Sequence, residues 1–177
     1  MDRIDIGQHI SQQFNEELED IRNKVLAMGG LVEQQLLDAF SAVTSGDGRL
    51  GEIVVTNDYK VNALEVTIDE ECSHVLARRQ PTAGDLRLIL TIIKTITDLE
   101  RMGDEAERIG RMAIHLAELE RPKNNYAEIE HLGNYVRQMV HDALDAFART
   151  DAEAAVRVAR EALKLRAFVP GDCGTSR

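Results

Sequence analysis

Leu86-Arg87-Leu88-Ile89-Leu90-Thr91-Ile92-Ile93-Lys94-Thr95-Ile96-Thr97-Asp98-Leu99-Glu100-Arg101-Met102-Gly103-Asp104-Glu105-Ala106-Glu107 is the stretch that decides the fold. Leu86, Ile89, Ile93 and Ile96 recur three and four residues apart, the spacing of one face of an α-helix. At about 100° per residue, Glu100, Asp104 and Glu107 fall on the same stripe, within roughly 60–80° of those apolar positions. The pattern therefore predicts carboxylates carried along the seam toward the interior. An ionised carboxylate out of water is costly unless it is paired or coordinates a cation, so the row reads as either a buried ion-pair system or a cation site.

The same periodicity extends in both directions. Phe14, Leu18, Ile21, Val25, Met28, Val32, Leu36 and Phe40 predict a helix over about 11–44, weakened at Gly29-Gly30 by roughly 1 kcal/mol per glycine relative to alanine and ended by Ser45-Gly46-Asp47-Gly48. Val54, Val61, Leu64, Ile68, Val75 and Leu76 predict one continuous second helix over about 50–79, stopping at Gln80 because Pro81 disfavours helical geometry in the residue before it. Thr82-Ala83-Gly84-Asp85 has capping-box spacing and opens a third helix that reaches about 119. Arg121-Pro122-Lys123-Asn124 is a break; Asn125-x-x-Glu128 then caps a fourth helix to about 149, and Thr150-x-x-Glu153 caps a fifth.

Long helices joined by short loops pack as antiparallel neighbours, so the predicted fold class is all-α: an elongated three-helix bundle of long antiparallel helices plus an incomplete second bundle. Leu37-Asp38-Ala39-Phe40 recurs as Leu144-Asp145-Ala146-Phe147, and Lys60-Val61 as Lys164-Leu165, an internal repeat with a period of just over a hundred residues. Helix four repeats helix one, helix five repeats helix two, and nothing repeats helix three. The expected organisation is a first three-helix repeat over 9–120, a partial second repeat of two helices over 125–167, and an irregular tail over 168–177.

A chain of 177 residues can bury a real core, and its formal charge of -10 disfavours nucleic-acid phosphates and anionic membrane surfaces as partners. No run of about 18 apolar residues and no signal-peptide layout is visible, so the expected location is cytoplasmic. The two cysteines, Cys72 in an apolar helical register and Cys173 in the tail, form neither a disulfide framework nor a thiolate metal motif. Any metal here would have hard oxygen ligands.

Helix two repeats the anomaly of helix three. Asp58, Glu65 and Asp69 line one edge of it, and Glu65/Asp69, like Glu100/Asp104, are four apart, with Cβ atoms about 5–6 Å from one another. Like charges at that spacing repel unless something positive lies between them. Folding helices two and three back at Pro81 brings Asn62 opposite Glu100 and Asp58 opposite Asp104, so acids from two helices converge. Carboxylates and waters suit Mg²⁺, Mn²⁺, Ca²⁺ or iron rather than tetrahedral zinc. The candidate metal ligands are Asp58, Glu65, Asp69, Glu100 and Asp104. A salt-bridge reading stands beside this one, since Arg101, Arg108, Arg111 and Lys60 are near in sequence. His9, His74, His115, His131 and His141 show no ligand spacing, and no phosphate loop, catalytic triad or nucleophile elbow is present.

Arg79-Gln80-Pro81-Thr82-Ala83-Gly84-Asp85-Leu86-Arg87-Leu88 together with Asp98-Leu99-Glu100-Arg101-Met102-Gly103-Asp104-Glu105-Ala106 resembles the signature of the PhoU family, accessory regulators of bacterial high-affinity phosphate uptake. His9-Ile10-Ser11-Gln12-Gln13-Phe14-Asn15-Glu16-Glu17-Leu18 and Met28-Gly29-Gly30-Leu31-Val32-Glu33 are also similar to it, and the resemblance covers roughly residues 9–165. It implies two tandem three-helix bundles whose Glu/Asp-x-x-x-Asp motifs bind multinuclear metal clusters; here that motif falls on Glu65/Asp69 and Glu100/Asp104. It further implies a non-enzymatic negative regulator of phosphate uptake and of the phosphate-starvation response. Such a regulator is peripheral to the membrane, linking the phosphate transporter's ATPase subunit to a membrane sensor histidine kinase. The metal would be Mg, Mn or Fe, divalent or trivalent. The chain departs from the family pattern after about Leu163, and Ala162 stands where the repeat would place an acid, which predicts a truncated or frame-shifted member. Its unfinished second bundle would leave an apolar face uncovered and favour a homo-oligomer. The alternative functions are a carboxylate-bridged metalloenzyme and a metal-free helical interaction module.

Overall fold

The computed structural model describes residues 3–78, 81–119 and 126–168. Six helices follow one another: α1 (Arg3–Ser45), α2 (Gly48–Asn57), α3 (Tyr59–Arg78), α4 (Ala83–Ala117), α5 (Ala127–Arg149) and α6 (Ala152–Phe168). No strand occurs among the described residues, and the fold is all-α. The predicted stop at Gln80, the break at 121–124, the cap at Asn125, Cys173 and the tail beyond Phe168 lie outside the described residues.

Each long helix buries a seam whose residues alternate three and four apart, the 3.5-residue repeat of coiled-coil packing. In α1 the seam is Leu18, Ile21, Val25, Met28, Val32, Gln35, Ala39 and Ala42. In α4 it is Ile89, Ile92, Ile96, Leu99, Gly103, Ala106, Gly110 and Ala113, large in the first half and small in the second. The small residues allow close approach: a Cβ on Gly51 of α2 would lie 2.7 Å from the Gly110 carbonyl oxygen. The buried side chains of α2 and α3 (Val54, Val61, Ile68, Cys72 and Val75) complete the core.

The α4 seam corrects the stripe read from sequence. Ile92 and Leu99 are buried, whereas Leu86 is 39% exposed and Ile93 only half buried. A 3.5-residue repeat drifts from the 3.6-residue wheel by ~20° per heptad, enough over three turns to move Glu100, Asp104 and Glu107 from the seam to its shoulder. Asp104 is exposed, while Glu100 and Glu107 are half buried.

Helix two is likewise not continuous. It divides into α2 and α3 at Asp58, whose carbonyl accepts from the amides of both Val61 (3.0 Å) and Asn62 (3.3 Å), the tightened bonding of a local 3₁₀ turn. Asp47 caps α2 through Leu50 N, and Gly46 supplies the positive φ (75°) that turns the chain out of α1. Thr82 and Asp85 form the expected capping box at the start of α4. At α6 the cap is Asp151, which accepts from Ala154 N; Thr150 is instead the left-handed C-cap of α5 (φ 55°). Helix α1 begins earlier than expected, at Arg3, and α6 runs on past Leu163 to Phe168.

Helices α1 to α4 pack mutually as a bundle; α5 packs antiparallel along α1, and among the described residues α6 packs on α5 alone. The α1–α5 contact is made where one helix lacks a side chain. Gly29 faces Leu144, Gly133 faces the Phe40 ring, and the Arg22 guanidinium donates to the Ala148 carbonyl at 2.9 Å. Gly29 thus serves interhelical packing, and α1 passes through it unbroken.

Candidate metal centre

Asp58 sits at the α2–α3 junction on the inner seam and is 8% exposed. Its Oδ1 accepts from Gln35 Nε2 of α1 at 3.3 Å, and its Oδ2 from Asn62 Nδ2 of α3 at 3.1 Å. Gly103 of α4 lies against it: a Cβ there would be 3.3 Å from both Asp58 Oδ1 and Gln35 Oε1. The helix pair is therefore in register within a residue of the sequence expectation, with Asp58 level with Gly103 instead of Asp104.

Glu65 is two turns further along α3 and half buried. Across from it, Glu100 of α4 has its carboxyl raised above the ordinary range, first by burial, then by the charges of Asp104, Glu65 and Asp58. Three of the other candidate ligands, Asp104, Glu65 and Asp58, thus act on the Glu100 carboxyl from two helices. Asp69 is exposed and stands apart from that set; its charge acts on Cys72, whose thiol burial pushes up to about 11, with Asp69 and Glu71 adding to the rise.

The basic residues that could have neutralised these acids are engaged elsewhere. Arg111 pairs with Glu107, Arg108 with Glu105 (2.8 Å) and Arg101 with Asp98 (3.8 Å). Lys60 lies over the Tyr59 ring at 6.0 Å. Lys24 bridges Asp20 and Glu71, and Glu33 takes Arg137 and His141, each at 3.3 Å. Among the described residues no ion pair reaches Asp58, Glu65, Asp69, Glu100 or Asp104.

Among the described residues no three His, Cys, Asp or Glu side chains stand close enough to hold an ion by themselves. Uncharged oxygens lie beside the acids, however. Gln35 Oε1 and Asn62 Oδ1, on the two amides that donate to Asp58, are buried without a donor. A cluster of carboxylates and orphaned carbonyl oxygens fits a hard, oxygen-seeking cation. Sequence reading missed Gln35, although a signal was there: it is the one polar side chain on the otherwise apolar α1 seam from Leu18 to Ala42.

The PhoU domain family matches residues 25–113, which span the α1 seam from Val25 on, the α2–α3 acids and most of α4. The chain is 55% identical over 152 residues to a phosphate-specific transport system accessory protein PhoU homolog of Pseudomonas putida, covering 86% of this chain and 59% of that protein. It is 49% identical over 166 residues to the Escherichia coli (strain K12) phosphate-specific transport system accessory protein PhoU, covering 93% and 68%. The chain belongs to the PhoU family.

Its fold agrees with PhoU crystal structures. That of PhoU from Pseudomonas aeruginosa superposes with a TM-score of 0.80 at 52% identity, covering 83% of this chain and 70% of that one. The phosphate transport system regulatory protein PhoU from Streptococcus pneumoniae gives 0.79 at 27%, covering 88% and 72%. The chain thus spans roughly six-tenths to seven-tenths of its PhoU relatives. No helix among the described residues is long and apolar enough to cross a membrane.

Proposed function

We propose that this chain serves as an accessory protein of a phosphate-specific transport system, acting as a cation-dependent adaptor and negative regulator rather than as an enzyme. In this reading it is cytoplasmic and reaches the membrane only through its partners, the transporter's ATPase subunit and a membrane sensor histidine kinase, and it keeps the phosphate-starvation response off when phosphate is plentiful. Family membership supports the phosphate-transport setting. The observation that carries the metal-dependent part is Asp58, 8% exposed, with the unpartnered oxygens of Gln35 and Asn62 beside it and, among the described residues, no ion pair to it or to Glu65, Glu100 or Asp104. A bound Mg²⁺, Mn²⁺ or Fe ion supplies positive charge between the acids of the two helices. Asp58 and Glu65 then hold α3, and Glu100 and Asp104 hold α4, in one fixed relation, and the surface formed by the two helices becomes the regulated surface.

Metal content of the purified chain tests this reading. Wild type is expected to retain ions through gel filtration, and Glu100→Ala/Asp104→Ala to lose them; negligible metal in both removes the site. A phosphate-starvation reporter in cells lacking their own accessory protein reads the regulatory part, with repression by the chain expected in high phosphate.

Self-association belongs to the same proposal. A cleft of about 610 Å³ opens between α4 and α6 over α1 and α5, with Phe40, Met102, Ile109, Met139, Val140 and Val158 in its walls. Its occupant is a second copy of the chain. The α6 helix of that copy carries exposed Val156 and Leu163, apolar side chains that match the apolar walls of the cleft.

A further inference from the structure

Where α1 and α5 run past one another, a cavity of about 110 Å³ lies beside the contact of Phe40 with Gly133. Ser41 of α1 and Glu130, Asn134 and Arg137 of α5 give it polar walls. The three α5 residues are four and three apart, so one face of that helix presents them together. Arg137 is the anomaly among them. Its Nη1 donates to Glu33 Oε1 at 3.3 Å, yet its Nε–H is buried without an acceptor. Both Glu33 oxygens are already engaged, Oε1 by Arg137 and Oε2 by His141 Nδ1 at 3.3 Å, so an acceptor for Nε has to come from elsewhere. A buried donor on a charged group costs more when unpaired than a neutral one does.

We propose that this cavity is a site for a protonated tetrahedral oxyanion, inorganic phosphate, with the Arg137 Nε–H, the Ser41 hydroxyl and the Asn134 amide as donors and the Glu130 carboxylate as acceptor. The donors alone would take any small oxyanion; Glu130 makes the choice. A carboxylate repels an anion that has no proton and accepts a hydrogen bond from one that has. Phosphate keeps a proton at neutral pH and sulfate keeps none, so the wall that turns sulfate away receives phosphate. Glu130 is exposed, and solvent screens its repulsion of the remaining anionic oxygens. The small volume favours the free ion over a phosphate monoester, whose substituent would have to stay outside. Occupation would tie α5, and with it α6, to α1 of the bundle, since among the described residues α6 packs on α5 alone. The proposal goes beyond the adaptor reading by giving the chain a direct ligand, and it is decided by anion binding, whereas that reading is decided by metal content and repression.

The test is calorimetric titration of the full chain with inorganic phosphate, sulfate and glycerol phosphate at matched ionic strength, after chelator treatment so that no bound cation recruits the anion. Wild type is expected to bind phosphate at least tenfold more tightly than sulfate or the monoester. Arg137→Gln is expected to weaken phosphate binding at least tenfold. Glu130→Gln, a change at an exposed position that leaves the fold in place, is expected to narrow the gap by raising sulfate affinity, an effect that a folding defect cannot produce. Absence of phosphate binding by wild type overturns the site, with water satisfying Arg137 Nε. Wild-type phosphate affinity in Arg137→Gln overturns the location. Equal affinity of wild type for phosphate and sulfate, or an unchanged preference in Glu130→Gln, overturns the role of the carboxylate as selector. Tighter binding of the monoester overturns the free ion as ligand.

Discussion

Glu100 shows how a single position reports on its surroundings. Its raised carboxyl means that the folded chain holds that proton more tightly than the unfolded chain does, so stability falls as pH rises from the ordinary glutamate range through the raised value. Glu100→Gln escapes that loss. The ion-free variant is expected to melt higher than ion-free wild type near pH 7 and to match it near pH 4, a difference that paired thermal scans resolve; an unchanged gap across pH contradicts the placement of the acid cluster. Loaded with cation, the order at pH 7 reverses, because wild type alone keeps the ligand. Gly51 is informative for a different reason: added bulk there meets backbone, the Gly110 carbonyl 2.7 Å away, which no rotamer change can relieve. Gly51→Ala is expected to cost roughly 1–3 kcal/mol in urea unfolding as α2 is forced off α4.

At the scale of elements, sequence and structure agree where local chemistry sets the outcome and part where packing does. The Thr82/Asp85 capping box is local: Asp85 N reaches Thr82 Oγ1 at 3.4 Å and Thr82 N reaches Asp85 Oδ2 at 3.3 Å. Thr82→Ala is expected to destabilise by about 1 kcal/mol, visible as a shift in urea midpoint at unchanged slope. The division of α2 from α3 is not local. No glycine or proline marks it; it falls at Asp58, the buried acid to which Gln35, some twenty residues earlier on another helix, donates. For the same reason Asp58 was legible as an unexpected acid on an apolar edge, whereas its role as the centre of a buried layer was not.

Across the molecule, stability is distributed unevenly. The bundle of α1 to α4 buries one large core and a smaller cluster at Ala42, Val43 and Ala113, while α6 is held by α5 alone among the described residues. Backbone amides of α6 are expected to exchange with solvent well before the seam amides of α1 and α4, which hydrogen-exchange mass spectrometry measures directly; equal protection would show that α6 is covered in solution. Self-association links to the same region. Sedimentation velocity is expected to show a concentration-dependent dimer, and Val158→Glu, placing a charge in the apolar cleft, is expected to shift it to monomer.

The amino-acid order alone determined that the chain is helical, where α4 starts, that the first helices form one antiparallel bundle and that acids from two of them approach one another, because each follows from spacing along a single helix or from the length of a turn. Tertiary structure decided which edge of a helix is inside. The 3.5-residue repeat adopted by packed helices moved Glu100 and Asp104 to the shoulder of the α4 seam and left Asp58 buried at the α2–α3 junction. It also decided that Gln35, unremarkable beside its neighbours in the chain, faces Asp58 with an unpartnered oxygen, since a contact between helices distant in sequence exists only once their seams have docked.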